Sequence, residues 1–418
     1  MILLARGIWS SKGDIIMNGA LQISGDIIAS VGSSDKMTPL DGEPVVNLGD
    51  SIIFPSFINA HCHLDYTGLA GKFVKKGSFT DWINQIVEAK RTLSAEEYES
   101  GWLLGAKMLM SSGCGTVVNI ESVPGLFSRM VKQTPLQVCP FTELICFDDE
   151  GEDQIVDLAK SELENNTPLS LVAGLSPHSP YTTTPRSLSL LASYADKVGC
   201  PITMHVGESK DEWQMFTKAS GELYEKMKNM GRVMDDCNFR SPIQHVNNSQ
   251  GISHQTIIVH ANYLAEDDIV FLAKSDLSIV HCPYSHSWFN HSKFQYARLS
   301  HEGVNICLGT DSLASSSKSV FAASELNMFN EMREFRSNNP EVDIDDILEM
   351  ATINGSRALG LDRRLGRLQE GMLANFSVIP FPSHLSDVKE AIISHKDSVG
   401  ALFIAGKQVF SGKDFIAD

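Results

Sequence analysis

Ile52-Ile53-Phe54-Pro55-Ser56-Phe57-Ile58-Asn59-Ala60-His61-Cys62-His63 is an apolar run that ends in two histidines one residue apart. Bounded upstream by Gly49-Asp50, the stretch Ile52–Ile58 reads as a strand buried on both faces, the habit of parallel sheets. On an extended chain, residues i and i+2 project to the same side. His61 and His63 can therefore bring both imidazoles to one point beyond the strand, while Cys62 turns away. Alone, the pair is explained equally well by two packed, hydrogen-bonded histidines.

Further apolar segments of strand length follow: Thr116–Ile120, Gln137–Thr142, Leu169–Leu175, Ile202–His205, Thr256–His260, Leu277–His281 and Asn305–Leu308. Helical stretches separate them, and strands alternating with helices predict a parallel sheet closed into a (β/α)8 TIM barrel. An open doubly wound sheet competes, but no GxGxxG follows the first strand. Both chain ends differ from this middle. Stretches such as Ala20–Ile28 and Ala401–Phe410 alternate apolar and polar residues between turn signals, as short antiparallel strands do. The expected organisation is α/β: residues 1–50 and 365–418 as the two parts of a small β-sandwich, with the barrel over 51–364. The segment Thr67–Thr92, with Gly68, Gly71 and Gly77, is the longest candidate lid.

Composition narrows the function. The net charge of −17 over 418 residues opposes nucleic-acid binding, which needs a basic surface. No apolar run of about 18 residues offers a membrane span. The N-terminus lacks the features of a signal peptide, so the expected location is cytoplasmic. Eight scattered cysteines form no CxxC pair, and packing in a reducing compartment accounts for them. A homodimer is the default expectation for a symmetric cytosolic assembly.

Three more chemical groupings fall at predicted strand ends, where barrels hold their functional side chains. They are Met204-His205-Val206-Gly207-Glu208, Ile258-Val259-His260 and Leu308-Gly309-Thr310-Asp311-Ser312. A single histidine at a strand end is usually a packed residue. The same types recurring at four strand ends make that explanation improbable for the set.

The order HxH, HxxE, His, then Gly-Thr-Asp-Ser resembles the amidohydrolase superfamily. Two further stretches, Ser176-Pro177-His178-Ser179-Pro180-Tyr181-Thr182 and His281-Cys282-Pro283-Tyr284-Ser285-His286, resemble its amine-releasing branch of cytosine, guanine and S-adenosylhomocysteine deaminases and triazine hydrolases. The resemblance implies one Zn²⁺, with Fe²⁺ as the alternative, held by His61, His63, His205 and Asp311 beside a water. It implies Asp311 as proton acceptor, His260 orienting the water and Glu208 protonating a ring nitrogen of a small heterocyclic substrate. Members with two metals bridge them by a lysine on strand four. No lysine stands between Lys160 and Lys197, which favours one metal.

The same resemblance assigns substrate contacts to His178, His281 and the lid residue Trp82. Each has a plain alternative: a turn cap for His178, a structural role for His281 and a core position for Trp82. In the adenosylhomocysteine type a glutamate on the lid helix takes the ribose hydroxyls; the same spacing from Trp82 gives Arg91, preceded by Lys90. A basic pair there suits a substrate carboxylate if either side chain faces inward. The Asn59–Thr67 and Gly309–Ser315 stretches look more like the aminodeoxyfutalosine deaminase type. The expected reaction is ammonia release from an adenine nucleoside-like compound such as aminodeoxyfutalosine; the alternative is hydrolysis of a ring C–Cl, C–S or cyclic amide bond on the same metal site.

Overall fold

The computed structural model describes residues 1–73, 77–148, 151–237, 240–315, 325–381 and 387–412. Two eight-stranded sheets organise the chain. The first is mixed and takes strands from both chain ends: β1 (Ile2–Ser11), β2 (Asp14–Ser24), β3 (Ile27–Ser33), β4 (Val45–Asn47) and β5 (Ser51–Pro55). After the second sheet, β14 (Phe376–Pro380), β15 (Ala401–Ile404) and β16 (Lys407–Ser411) complete it, in the order β16-β15-β14-β5-β1-β2-β3 with β4 beside β1. The seam between the chain ends is β5 against β14, where Ile53 lies opposite Val378 and Ile52 opposite Ile379.

The second sheet is parallel and runs in sequence order: β6 (Phe57–Cys62), β7 (Cys114–Glu121), β8 (Gln137–Leu144), β9 (Gly174–Pro177), β10 (Ile202–Val206), β11 (Thr256–His260), β12 (Ser278–His281) and β13 (Asn305–Leu308). It closes on itself. Cys62 bridges to Asp311 in parallel, and the amides of Thr310 and Asp311 both donate to the His61 carbonyl at 3.1 Å. Across the same join Asn59 Nδ2 donates to Thr310 Oγ1 at 2.7 Å, and the Thr310 amide donates back to Asn59 Oδ1 at 3.0 Å. A Cβ on Gly309 would stand 2.9 Å from the His61 carbonyl oxygen, so only glycine lets the last strand approach the first so closely. The fold is thus a (β/α)8 barrel carrying a smaller β-domain built from both chain ends.

Two expected strands are corrected. Ile52–Ile58 is two strands: Ser51–Pro55 pairs in the mixed sheet and Phe57–Cys62 in the barrel. The apolar run is continuous because it serves two cores, with the break at Ser56. Leu169–Leu175 is also displaced. Thr167–Leu169 forms a 3₁₀ turn and the strand begins only at Gly174. Leu171 and Val172 are apolar because they pack, partly buried, against the apolar cluster that includes Val118 and Phe141, not because they pair.

Helix ends follow local chemistry. Ser78 and Ser94 cap the helices Phe79–Thr92 and Ala95–Ser111 in capping boxes with Asp81 and Glu97. Thr184 and Pro185 start the helix Pro185–Val198, and Gly199 ends it at φ 72°. Phe54 and Phe57 lie 5.2 Å apart and both meet Phe329, so one aromatic knot joins the two sheets. The lid candidate Thr67–Thr92 contains residues 74–76, which lie outside the described residues; its helix forms the rim of the cleft described next. Among the described residues no helix is long and apolar enough to cross a membrane.

Candidate metal centre and active-site cleft

Each strand-end residue is aimed by the geometry of its strand. His61 and His63 leave the end of β6 on one side, as alternation requires, with rings 5.0 Å apart. His205 comes from β10 and His260 from β11, and their rings stack at 5.4 Å. Asp311 follows β13. His260, Ala261 and Asp311 adopt positive φ of 76°, 47° and 55°. Strain of this kind, about 1–3 kcal/mol per residue, persists where the surroundings hold it in place, and here it turns side chains inward from the barrel mouth.

The groups meet. Asp311 Oδ1 lies 3.6 Å from His61 Nε2 and 3.8 Å from His63 Nε2, and His205 Nε2 lies 3.2 Å from His61 Nε2. Nitrogens at about 2.0–2.1 Å from a tetrahedral zinc would stand about 3.3 Å apart, so these spacings suit the edges of a coordination shell. The tautomer of His205 agrees. Its Nδ1 donates to the His178 carbonyl at 2.8 Å, which leaves the Nε2 lone pair facing the other ligands. Burial, together with the crowding of the His61 and His178 rings, lowers His205 to about 3; burial likewise puts His63 and His260 well below the usual histidine range. All three are therefore neutral donors. Burial alone would raise Asp311, but the hydrogen bond from His61 and the neighbouring imidazoles of His260, His61 and His63 hold its carboxyl well below the usual range. Ser285 Oγ donates to its other oxygen at 2.7 Å. Neutral imidazoles converging with an ionised carboxylate, buried and with no cationic side chain among them, fit a single divalent ion.

Beside this cluster opens a cleft of about 870 Å³, part of it open to solvent. His63, His178, His205, Glu208, His260 and Asp311 form its inner end. Glu208 Oε1 is 3.6 Å from His260 Nε2, and burial followed by the charge of Asp311 pushes the Glu208 carboxyl well above its ordinary value. His178 lines the cleft and also caps its turn, since Nδ1 lies 2.7 Å from Thr182 Oγ1. Trp82 lines the cleft and is packed as well: its ring meets Phe289 edge-on at 4.8 Å, and Nε1 donates to the Ala314 carbonyl at 3.2 Å.

Two expected contacts are corrected. The Arg91 side chain is 72% exposed and pairs with Glu88 at 3.3 Å, so it turns away from the cleft. Its neighbour Lys90 faces inward instead, because a helix whose Trp82 and Ile86 line the cleft brings the next turn around at 90. There Lys90 Nζ bonds to Tyr66 Oη at 2.5 Å and lies 3.8 Å from Glu143. His281 also stays out of the cleft; its ring stacks on Phe294 at 4.0 Å behind the site.

Glu212, Glu143 and Lys226 were not among the expected site residues. Glu212 accepts from the amides of Gly207 and Glu208 at 3.0 and 2.7 Å and so fixes the turn that carries Glu208. The spacing Ser209–Glu212 at a helix start was its signal, one that reads as an ordinary capping box. Glu143 and Lys226 line the cleft from a strand end and a helix remote in sequence, and no local pattern marks them.

Comparison with known proteins agrees with this geometry. The amidohydrolase family pattern matches residues 52–409. The chain belongs to the amidohydrolase family. This amidohydrolase is 24% identical over 385 residues to a 5-methylthioadenosine/S-adenosylhomocysteine deaminase of Symbiobacterium thermophilum, covering 88% of this chain and 82% of the relative. It is 25% identical over 370 residues to the aminodeoxyfutalosine deaminase of Deinococcus radiodurans, covering 86% and 85%. A solved adenosine deaminase of Xanthomonas campestris with bound zinc superposes with a TM-score of 0.83 at 21% identity, over 99% of this chain and 94% of that one, a likeness of fold.

Proposed function

We propose that this amidohydrolase is a hydrolytic deaminase, holding one Zn²⁺ or Fe²⁺ through His61, His63, His205 and Asp311, that releases ammonia from an adenine nucleoside-like substrate such as aminodeoxyfutalosine. The observation that carries the reading is Glu208: a buried carboxyl at the inner end of the cleft that also holds the imidazole–carboxylate cluster. When bound, the ion supplies Lewis-acid activation, bringing the pKa of a water toward 7. Asp311 takes the proton of the attacking water as its oxygen bonds to the ring carbon bearing the amine. His260 orients that water. Glu208 gives its proton to the adjacent ring nitrogen, so the carbon accepts the oxygen without building charge on the ring. The exocyclic C–N bond then breaks: the proton held by Asp311 leaves with the amine as ammonia, and the hydroxyl proton passes to Glu208, leaving a ring carbonyl beside a protonated ring nitrogen and both carboxyl groups in their starting states. His178 and Trp82 hold the heterocycle. The relatives' names support the substrate class, and eight buried, unpaired cysteines support a cytoplasmic setting.

Ammonia release is to be measured on adenine nucleosides, guanine, cytosine and aminodeoxyfutalosine. No release from any of them overturns the proposal. Glu208→Gln should retain the metal by elemental analysis and lose about 10²–10⁴-fold in turnover; near-wild-type turnover would exclude the acid role.

A further inference from the structure

Resting on the deaminase reading, we infer that Lys226 is the anchor for an anionic group, a carboxylate, at the end of the substrate remote from the reacting ring. The helix Glu222–Asn229 brings Lys226 to the cleft together with Met227, and Met230 follows. Ile83, Val87 and Phe147 complete an apolar collar there. Val87 and Met230 are exposed, so an apolar group crossing the collar would cover them and partly shield an ion pair formed beside it.

The charges around Lys226 are those of a vacant counter-ion position. Its Nζ bonds to the neutral acceptor Asn84 Oδ1 at 2.6 Å, and no carboxylate pairs with it among the described residues. Glu222 on the same helix is bonded to Ser78. The charge acting on Lys226 is that of Arg91, of like sign. Lys90 differs: Glu143 and Tyr66 already hold it, so an incoming carboxylate would meet Glu143 as well as the ammonium. Two lysines line one cleft, and only Lys226 is free of an acidic partner among the described residues. The Lys90–Glu143 pair, with donor and acceptor side by side, suits hydroxyls between the ring and the apolar segment.

The matching ligand is a nucleoside whose 5′ substituent is apolar and ends in a carboxylate. The probes are a 5′-carboxyaryl adenine nucleoside, its methyl ester, and the two corresponding hypoxanthine nucleosides. Ammonia release is measured for the first two, and calorimetric binding for the last two. The wild type is expected to prefer acid over ester by about tenfold or more, through KM and Kd, as one partly exposed charge-assisted bond allows. Lys226→Met should abolish that preference and Lys226→Arg should restore it. An acid-to-ester ratio unchanged in Lys226→Met overturns the inference. Absence of ammonia from both probes overturns the adenine-nucleoside part of the deaminase reading alone, since binding of the hypoxanthine pair still decides Lys226.

Discussion

Glu212→Gln isolates the part of the site that no catalytic motif contains. Both oxygens of the buried Glu212 are used, one on the Gly207 amide and one on the Glu208 amide. Glutamine keeps one acceptor and turns an NH₂ toward the second N–H, so one bond is lost and a buried N–H is left unpaired, at a cost of about 1–3 kcal/mol. The turn's carbonyls are held separately, with the Tyr263 amide donating to the Gly207 carbonyl at 2.9 Å and Asn262 Nδ2 to the Glu208 carbonyl at 3.0 Å, so Glu212 is what holds its two amides. If that energy appears as misplacement of the Glu208 carboxyl, kcat falls about 10–100-fold, at 1.36 kcal/mol per decade. The same substitution has a pH signature. Burial raises Glu212 to about 7, against the lowering effect of the backbone amides it accepts from. A carboxyl raised in the folded state contributes stability that is present below its unfolded value and lost as pH rises toward about 7. Glutamine does not titrate, so the wild type's Tm advantage over the variant should shrink between about pH 5 and 7. The assays are steady-state ammonia release, metal content and calorimetric melting at both ends of that range. A kcat within about twofold of wild type at full metal loading would refute the positioning argument.

Gly207→Ala should lower Tm by several degrees and kcat with it. A left-handed φ costs a β-carbon about 1–2 kcal/mol, and that carbon would lie 2.8 Å from the Tyr263 backbone oxygen; an unchanged melting curve would contradict this. Arg91→Ala should leave kcat/KM within about threefold and stability within about 1 kcal/mol, because its partner Glu88 is as exposed as it is; a larger loss would mean that Arg91 reaches the cleft.

The barrel was legible because β11 and β13 are short apolar runs bounded by polar turns, and their predicted limits coincide with the observed ones. Ile52–Ile58 misled because burial writes the same apolar letters whichever sheet a residue joins. The histidines and Asp311 were visible as a set because they sit at strand ends in chain order. Arg91 was counted along the sequence by a fixed spacing, whereas a helix shows inward every third or fourth residue, which selects Lys90. Glu143 and Lys226 come together from elements that only the closed barrel makes neighbours, so single-sequence patterns carry no trace of the meeting.

The clasp between Asn59 and Thr310 joins residues 251 positions apart. His61 and His63 belong to one of the first barrel segments a ribosome releases, Asp311 to one of the last. A chain stalled, clipped or truncated anywhere between them holds an incomplete set of the proposed ligands and an unclosed wall. With the proposed ligand set, ion affinity would be a certificate that translation reached the far side of the barrel: a fragment ending before the Gly309–Ser312 turn should bind metal only loosely, however well its earlier strands pair.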